Sequence, residues 1–180
     1  MKYIGVILLV WFNVNQTGQD IYACKNAVVT LYSKAPIEDI EARTDKGVSV
    51  FNTSTGELAF SIPIRSFKFD KALMQEHFNE NYMESDKYPQ ATFRGKLTDK
   101  VDVTKDGAYP VIASGILEVH GVKQSRTIPG KLTVNNGVIS LSSTFMVACK
   151  DHKVDIPTLV FHNIAESLKI TVSATYSPYK

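Results

Sequence analysis

The sequence predicts an all-β domain built on an antiparallel sheet that closes or doubles over on itself. Short segments of alternating apolar and polar residues recur along most of the chain. Turn signals at Thr55-Gly56, Asp106-Gly107 and Asn135-Asn136-Gly137 separate several of them. Only one stretch, about residues 71–81, has helical spacing, so strands must cover strands. A length of 180 residues with 44% apolar content fits one domain with a real core.

Taken in order, the strand segments begin with Tyr22–Ser33, Ile37–Arg43 and Gly47–Asn52. In Glu57–Phe69, Leu58, Phe60, Ile62 and Ile64 share one parity and Phe67 and Phe69 the other. That slip, near Pro63 to Ser66, predicts a bulge. Leu73 and His77, like Met74 and Phe78, sit four apart, which puts each pair on one side of a short helix. Asn79, Asn81, Ser85 and Asp86 break that helix, and Tyr88-Pro89 restarts an extended chain. In Gln90–Leu97, Ala91, Phe93, Gly95 and Leu97 alternate with polar neighbours. Val111–Val122, Ser125–Val134 and Val138–Ala148 follow, the last two joined by an Asn-Gly hairpin signal. Ile139, Leu141, Phe145 and Val147 share one face there. Glu166–Tyr176 closes the series with Leu168, Ile170, Val172, Ala174 and Tyr176 on one face.

Two ordered motifs carry a family likeness. Tyr88-Pro89-Gln90-Ala91-Thr92-Phe93 is followed downstream by Leu117-Glu118-Val119-His120-Gly121-Val122-Lys123. Together they resemble the YceI-like family, from about residue 22 to the end of the chain. The resemblance implies a closed eight-stranded antiparallel lipocalin-like barrel, with the short helix near one barrel end. It also implies binding of a long apolar ligand such as an isoprenoid, a quinone tail or another lipid, with no chemistry on it and no cofactor. Nine strand segments against eight strands means that one is wrong or broken. On this reading Phe60, Ile62, Phe67, Phe93, Phe145, Ile170 and Val172 are the wall candidates, and Met74 and Phe78 stand at the mouth. The helix is either a lid or an ordinary cover for the core. Alternation alone does not separate a hollow barrel from a filled one, since eight strands is the borderline size. Small residues at inward parity (Ala91, Gly95, Ala113, Gly115 and Gly121) either leave space along one wall or let backbones pack closely. The Val28–Glu41 segment lacks the Trp- and His-containing opening of many relatives, which bears on ligand identity more than on fold.

The net charge of +2, with both signs interspersed, gives no footprint for nucleic acid. Lys71, Arg94 and Lys96 are read as surface charge. There is no Gly-x-Ser-x-Gly elbow, His-Glu-x-x-His, phosphate loop or Cys-x-x-Cys. His77, His120, His152 and His162 lack metal-ligand spacing. His77 is expected to cap the barrel, and His120 to sit in a tight turn bonded to a neighbouring loop. Two rival readings are an enzyme with His77, Asp86 and Tyr88 near the mouth, and a filled barrel with function on its loops.

Lys2 precedes an apolar run from Tyr3 to Phe12 that is too short to span a bilayer, for which ~20 residues are needed. It has the length of a signal-peptide core, so residues 1–19 are read as a leader and 20–180 as an exported domain, periplasmic or secreted. Ile21-Tyr22-Ala23-Cys24 has the outline of a lipoprotein box, but a polar stretch separates it from the apolar run. Cys24 and Cys149 fall at opposite barrel ends and are expected as unpaired, buried thiols.

Overall fold

The structure, a computed structural model, describes residues 20–34, 39–155 and 166–179. The leader segment lies outside them. The strands are β1 (Ile21–Ser33), β2 (Ile40–Asn52), β3 (Glu57–Pro63), β4 (Lys68–Phe69), β5 (Gln90–Leu97), β6 (Gly107–Val119), β7 (Val122–Asn135), β8 (Val138–Ala148) and β9 (Ser167–Pro178), with helix α1 at Ala72–His77. Each barrel strand pairs antiparallel with its neighbours in the order β1-β2-β3-β5-β6-β7-β8-β9, and β9 returns to β1. Eight strands therefore close a barrel, leaving β4 as a two-residue addition on β2.

The ninth predicted segment came from splitting β2. Its inward residues are Ala42, Thr44, Gly47, Ser49 and Phe51, and their alternation breaks where Asp45 and Lys46 both face solvent. A matching break in β1 leaves Lys25 and Asn26 both exposed between Cys24 and Ala27. The two bulges lie in succession along the β1–β2 ladder and cancel, so that Cys24↔Ser49 and Val29↔Thr44 share one register. Gly47 allows the close approach this requires, since a Cβ there would lie 2.8 Å from the Ala27 carbonyl oxygen.

The predicted bulge after Pro63 is instead a tight 3₁₀ turn, Ile64–Ser66. Proline ends β3, and the turn carries the chain off the sheet, so Ile64 and Phe67 both become buried despite opposite parity. The predicted strand Val111–Val122 likewise stops early. His120 and Gly121 take left-handed conformations and make a two-residue hairpin turn between β6 and β7. Asn136 and Gly137 do the same between β7 and β8, as their sequence predicts.

The β7–β8 ladder is incomplete. Backbone pairing runs from Asn135↔Val138 to Gly130↔Ser143, where Pro129 has no N–H to continue it. Beyond that point side chains bridge the strands. Ser143 Oγ donates to the Pro129 carbonyl at 2.6 Å, and Arg126 donates to the Met146 carbonyl. Gln124 donates to the Asp151 carbonyl at 2.7 Å, and His152 Nδ1 lies 3.1 Å from the Val122 carbonyl. The wall stays joined here through side chains rather than through a ladder.

Candidate functional site

The inward residues of the eight strands do not fill the barrel evenly. At the end where β1 begins and β9 finishes, Phe51, Leu132, Val134, Ile139, Ala174 and Tyr176 are buried against one another. The Phe51 and Tyr176 rings lie 6.0 Å apart. Burial pushes the Tyr176 hydroxyl above its ordinary value and makes a hydrogen-bond partner obligatory. Its hydroxyl donates to Ser49 Oγ at 2.7 Å, which in turn donates to the Ala59 carbonyl at 2.9 Å. This end is packed solid.

Above it lies a cavity of about 170 Å³. Val29 and Leu31 of β1, Leu58, Phe60 and Ile62 of β3, and Phe93 and Leu97 of β5 form one side of its wall. Val111 and Leu117 of β6, Ile128 of β7, Leu141 and Phe145 of β8, and Leu168, Ile170 and Val172 of β9 form the other. No charged, imidazole or thiol side chain lines it, among the described residues. Ser143 is one of two hydroxyl residues in the wall, and its proton is committed to the Pro129 carbonyl. An interior of this kind offers a guest dispersion contacts and freedom from water, and little else.

The segment Ile64–Met83 roofs the cavity. Ser66 Oγ donates to the Pro63 carbonyl at 2.6 Å and accepts from Thr44 Oγ1 at 2.7 Å, which fastens the 3₁₀ turn to β2. The Phe78 ring packs against Phe67 and Phe69, with centroids 5.7 and 4.9 Å away. The helix then widens over Phe78–Tyr82, where the Met83 N–H reaches back five residues to the Phe78 carbonyl at 2.9 Å. Ile64, Phe67, Phe78 and Met83 are the roof residues that touch the cavity.

The two sequence motifs meet beside this roof. Tyr88 stands edge-on to His120, ring centroids 4.5 Å apart, over Gly121, where any Cβ would strike the Tyr88 ring. His120 Nε2 lies 2.8 Å from Glu84 Oε2, and its Nδ1 lies 3.2 Å from the His152 carbonyl oxygen. Arg65 pairs with Asp86 and donates from Nε to Ser85 Oγ at 3.1 Å. His120 thus moors the Glu84–Tyr88 loop to the β6–β7 turn and to the 3₁₀ turn Cys149–His152.

The structure brings Phe60, Ile62, Phe67, Phe78, Phe93, Phe145, Ile170 and Val172 together around the cavity. Met74 does not line it, and Met83 stands there instead. The helix expected over residues 71–81 is α-helical only for Ala72–His77, and just past its end Phe78 turns inward. Leu73 is 61% exposed and His77 is also exposed, so His77 does not cap the barrel. Of the rival catalytic trio, His77 faces solvent, Asp86 is held by Arg65 and Tyr88 packs on His120; none lines the cavity. Among the small residues, Ala91 and Ala113 line the cavity, whereas Gly95 and Gly115 face each other across β5 and β6. A Cβ on Gly115 would lie 2.4 Å from the Gly95 Cα, so these two serve close backbone approach. Arg94 and Lys96 are exposed, and Cys24 and Cys149 are buried free thiols. Burial pushes the Cys149 thiol up, which keeps it protonated and unreactive. Val29 and Leu31 were hidden from pattern reading by the Lys25-Asn26 bulge, and nothing periodic marks Met83.

No helix among the described residues is long and apolar enough to cross a membrane. No curated protein matches the chain. Several solved structures share its fold, among them the following three. A polyisoprenoid binding domain from Saccharophagus degradans, described as implicated in plant cell wall breakdown, is 15% identical with a TM-score of 0.75 over 88% of this chain and 98% of its own. Burkholderia cenocepacia BcnA is 16% identical with a TM-score of 0.71, over 84% and 96%. The Campylobacter jejuni YceI protein is 17% identical with a TM-score of 0.62, over 82% and 89%. The family model of the YceI-like domain matches residues 22–176, which takes in every barrel strand and the roof, and the chain accordingly belongs to the YceI-like family.

Proposed function

We propose that this protein takes up a long apolar chain molecule, of the isoprenoid or similar lipid class, and stores or carries it without chemical change. The apolar cavity between a packed floor and an aromatic roof is the observation that carries this reading. Burial of the guest itself contributes roughly 25 cal/mol per Å² of apolar area. Isoprenoids suit the site because a saturated or polyene chain has no polar group to leave unpaired against such a wall. The described polyisoprenoid binding of the Saccharophagus domain, which has the same fold, supports the class. A described wall without a charged, imidazole or thiol side chain, and with the Ser143 proton committed to the Pro129 carbonyl, favours binding over catalysis. Export to the periplasm or the medium follows from reading Tyr3–Phe12 as a leader core.

The test is displacement of a fluorescent apolar probe by polyprenyl alcohols and quinones, in the wild type and in Phe60→Glu. The wild type is expected to exchange probe for polyprenol. Phe60→Glu, with a charge aimed at the cavity, is expected to lose most uptake while keeping its β-sheet circular dichroism. Probe that never enters the wild type, or that enters both proteins alike, overturns the reading.

A further inference from the structure

The boundary between the hollow and packed parts of the barrel can be followed across three adjacent strands. On β7 it falls between Gly130 and Leu132, on β8 between Leu141 and Ile139, and on β9 between Val172 and Ala174; the first of each pair lines the cavity and the second does not. Leu132 and Ala174 flank Leu141 in register, so the floor steps down by one inward residue on β8, to Ile139. Leu132, Ile139 and Ala174 are each no more than 1% exposed. Tyr176, the cross-strand partner of Ile139, is locked by its bond to Ser49. Moving it aside would strand a buried hydroxyl. The opposite end is built differently. Phe78 and Met83 belong to a segment tied back to the sheet through the two-residue strand β4, and Phe78 is only half-buried.

We infer that the packed layer of Leu132, Ile139 and Ala174 is a fixed stop that sets how much of an apolar chain the barrel accepts, the excess emerging on the roof side. This inference rests on the uptake reading above. A guest enters tail first, because the floor offers no group to solvate a polar head. Its terminal methyl halts at Leu132 and Ile139, which have no room to repack in so dense a layer. Carbons added beyond that point stay in contact with water or with the roof and gain much less.

The test uses straight-chain alcohols of increasing carbon number, competed against a fluorescent apolar probe. Wild type is expected to bind each longer alcohol roughly fourfold more tightly per methylene, up to a carbon number at which the increments stop. Val111→Phe raises the floor, because Val111 faces Gly130, which has no side chain to obstruct the larger ring. Its break is expected at an alcohol shorter by a few carbons than in wild type. Leu132→Ala lowers the floor and is expected to move the break to longer alcohols. Should Leu132→Ala fail to give a cooperative melt, Val111→Phe alone decides. A break that Val111→Phe leaves unmoved, or a wild-type series without a break, overturns the stop and leaves uptake standing. Failure of every alcohol and polyprenol to displace the probe overturns both.

Discussion

Tyr176 and Ser49 show how one polar pair holds an otherwise apolar layer. Tyr176 donates to Ser49, and Ser49 passes its own proton to the Ala59 carbonyl. Removing the donor and removing the acceptor are therefore unequal changes. Tyr176→Phe leaves Ser49 bonded to Ala59 and is expected to cost about 1 kcal/mol. Ser49→Ala leaves the buried Tyr176 hydroxyl unsatisfied and is expected to cost more, roughly 1–3 kcal/mol. Urea unfolding of both variants checks the order, and a larger loss for Tyr176→Phe would contradict the arrangement. On the surface, Asp102 accepts from Thr104 Oγ1 at 2.6 Å and lies 3.0 Å from Lys105 Nζ. The Thr104 hydroxyl first, then Lys105, hold its carboxyl down at about 2. Because the folded value lies below the unfolded one of ~3.9, the turn's contribution is complete above pH ~4 and is lost as pH falls through about 2. Carboxyl NMR titration is expected to place Asp102 near that value, and Thr104→Val to move it upward. A wild-type midpoint in the ordinary aspartate range would contradict this.

Among the elements, the β7–β8 seam departs most from a regular barrel. Where Pro129 ends the ladder, strand edges that would exchange N–H···O bonds are joined by Ser143, Arg126, Gln124 and His152. Amide exchange is expected to alternate there. Amides of Ser125–Ile128 and Thr144–Val147 that face the seam should exchange much faster than those of Leu132–Val134, while their intervening neighbours stay protected by β6 or β9. Uniform protection across both stretches would mean that a ladder is present after all. The seam was not legible in the sequence, because Pro129 sits in an alternating run that reads as an ordinary strand. The hairpin at Asn136-Gly137 was legible, since both residues tolerate the left-handed conformation that the turn requires. Most wall residues were legible for a related reason: parity along β5, β8 and β9 runs unbroken. It failed at β1 and β2, where paired bulges shift the phase, and at Met74 and Met83. A helix of fewer than two turns that ends in a wide turn rotates its faces away from ideal spacing.

For the whole molecule, two kinds of residue carry the family likeness: Tyr88, His120 and Gly121 stand outside the cavity, whereas Ala91, Thr92, Phe93 and Leu117 line it. Tyr88, His120 and Gly121 clasp the roof loop against the β6–β7 turn, while the wall comes from ordinary aliphatic and aromatic positions spread over the strands. The first set is tied to particular backbone conformations, so it remains recognisable in sequence. The second needs only to be apolar and of suitable size, which many sequences satisfy. Fold and family are thus readable from motifs, whereas the depth of the cavity is decided by where the interior stops being filled. That division between a packed floor and a hollow upper barrel underlies both uptake and the length limit. Native mass spectrometry of protein purified without detergent from cells that make it tests the division most directly. A bound apolar species of isoprenoid or other lipid mass, released by organic extraction and regained on incubation with polyprenyl alcohol, is the expected result. A bare polypeptide mass that stays unchanged through the same incubation would contradict it.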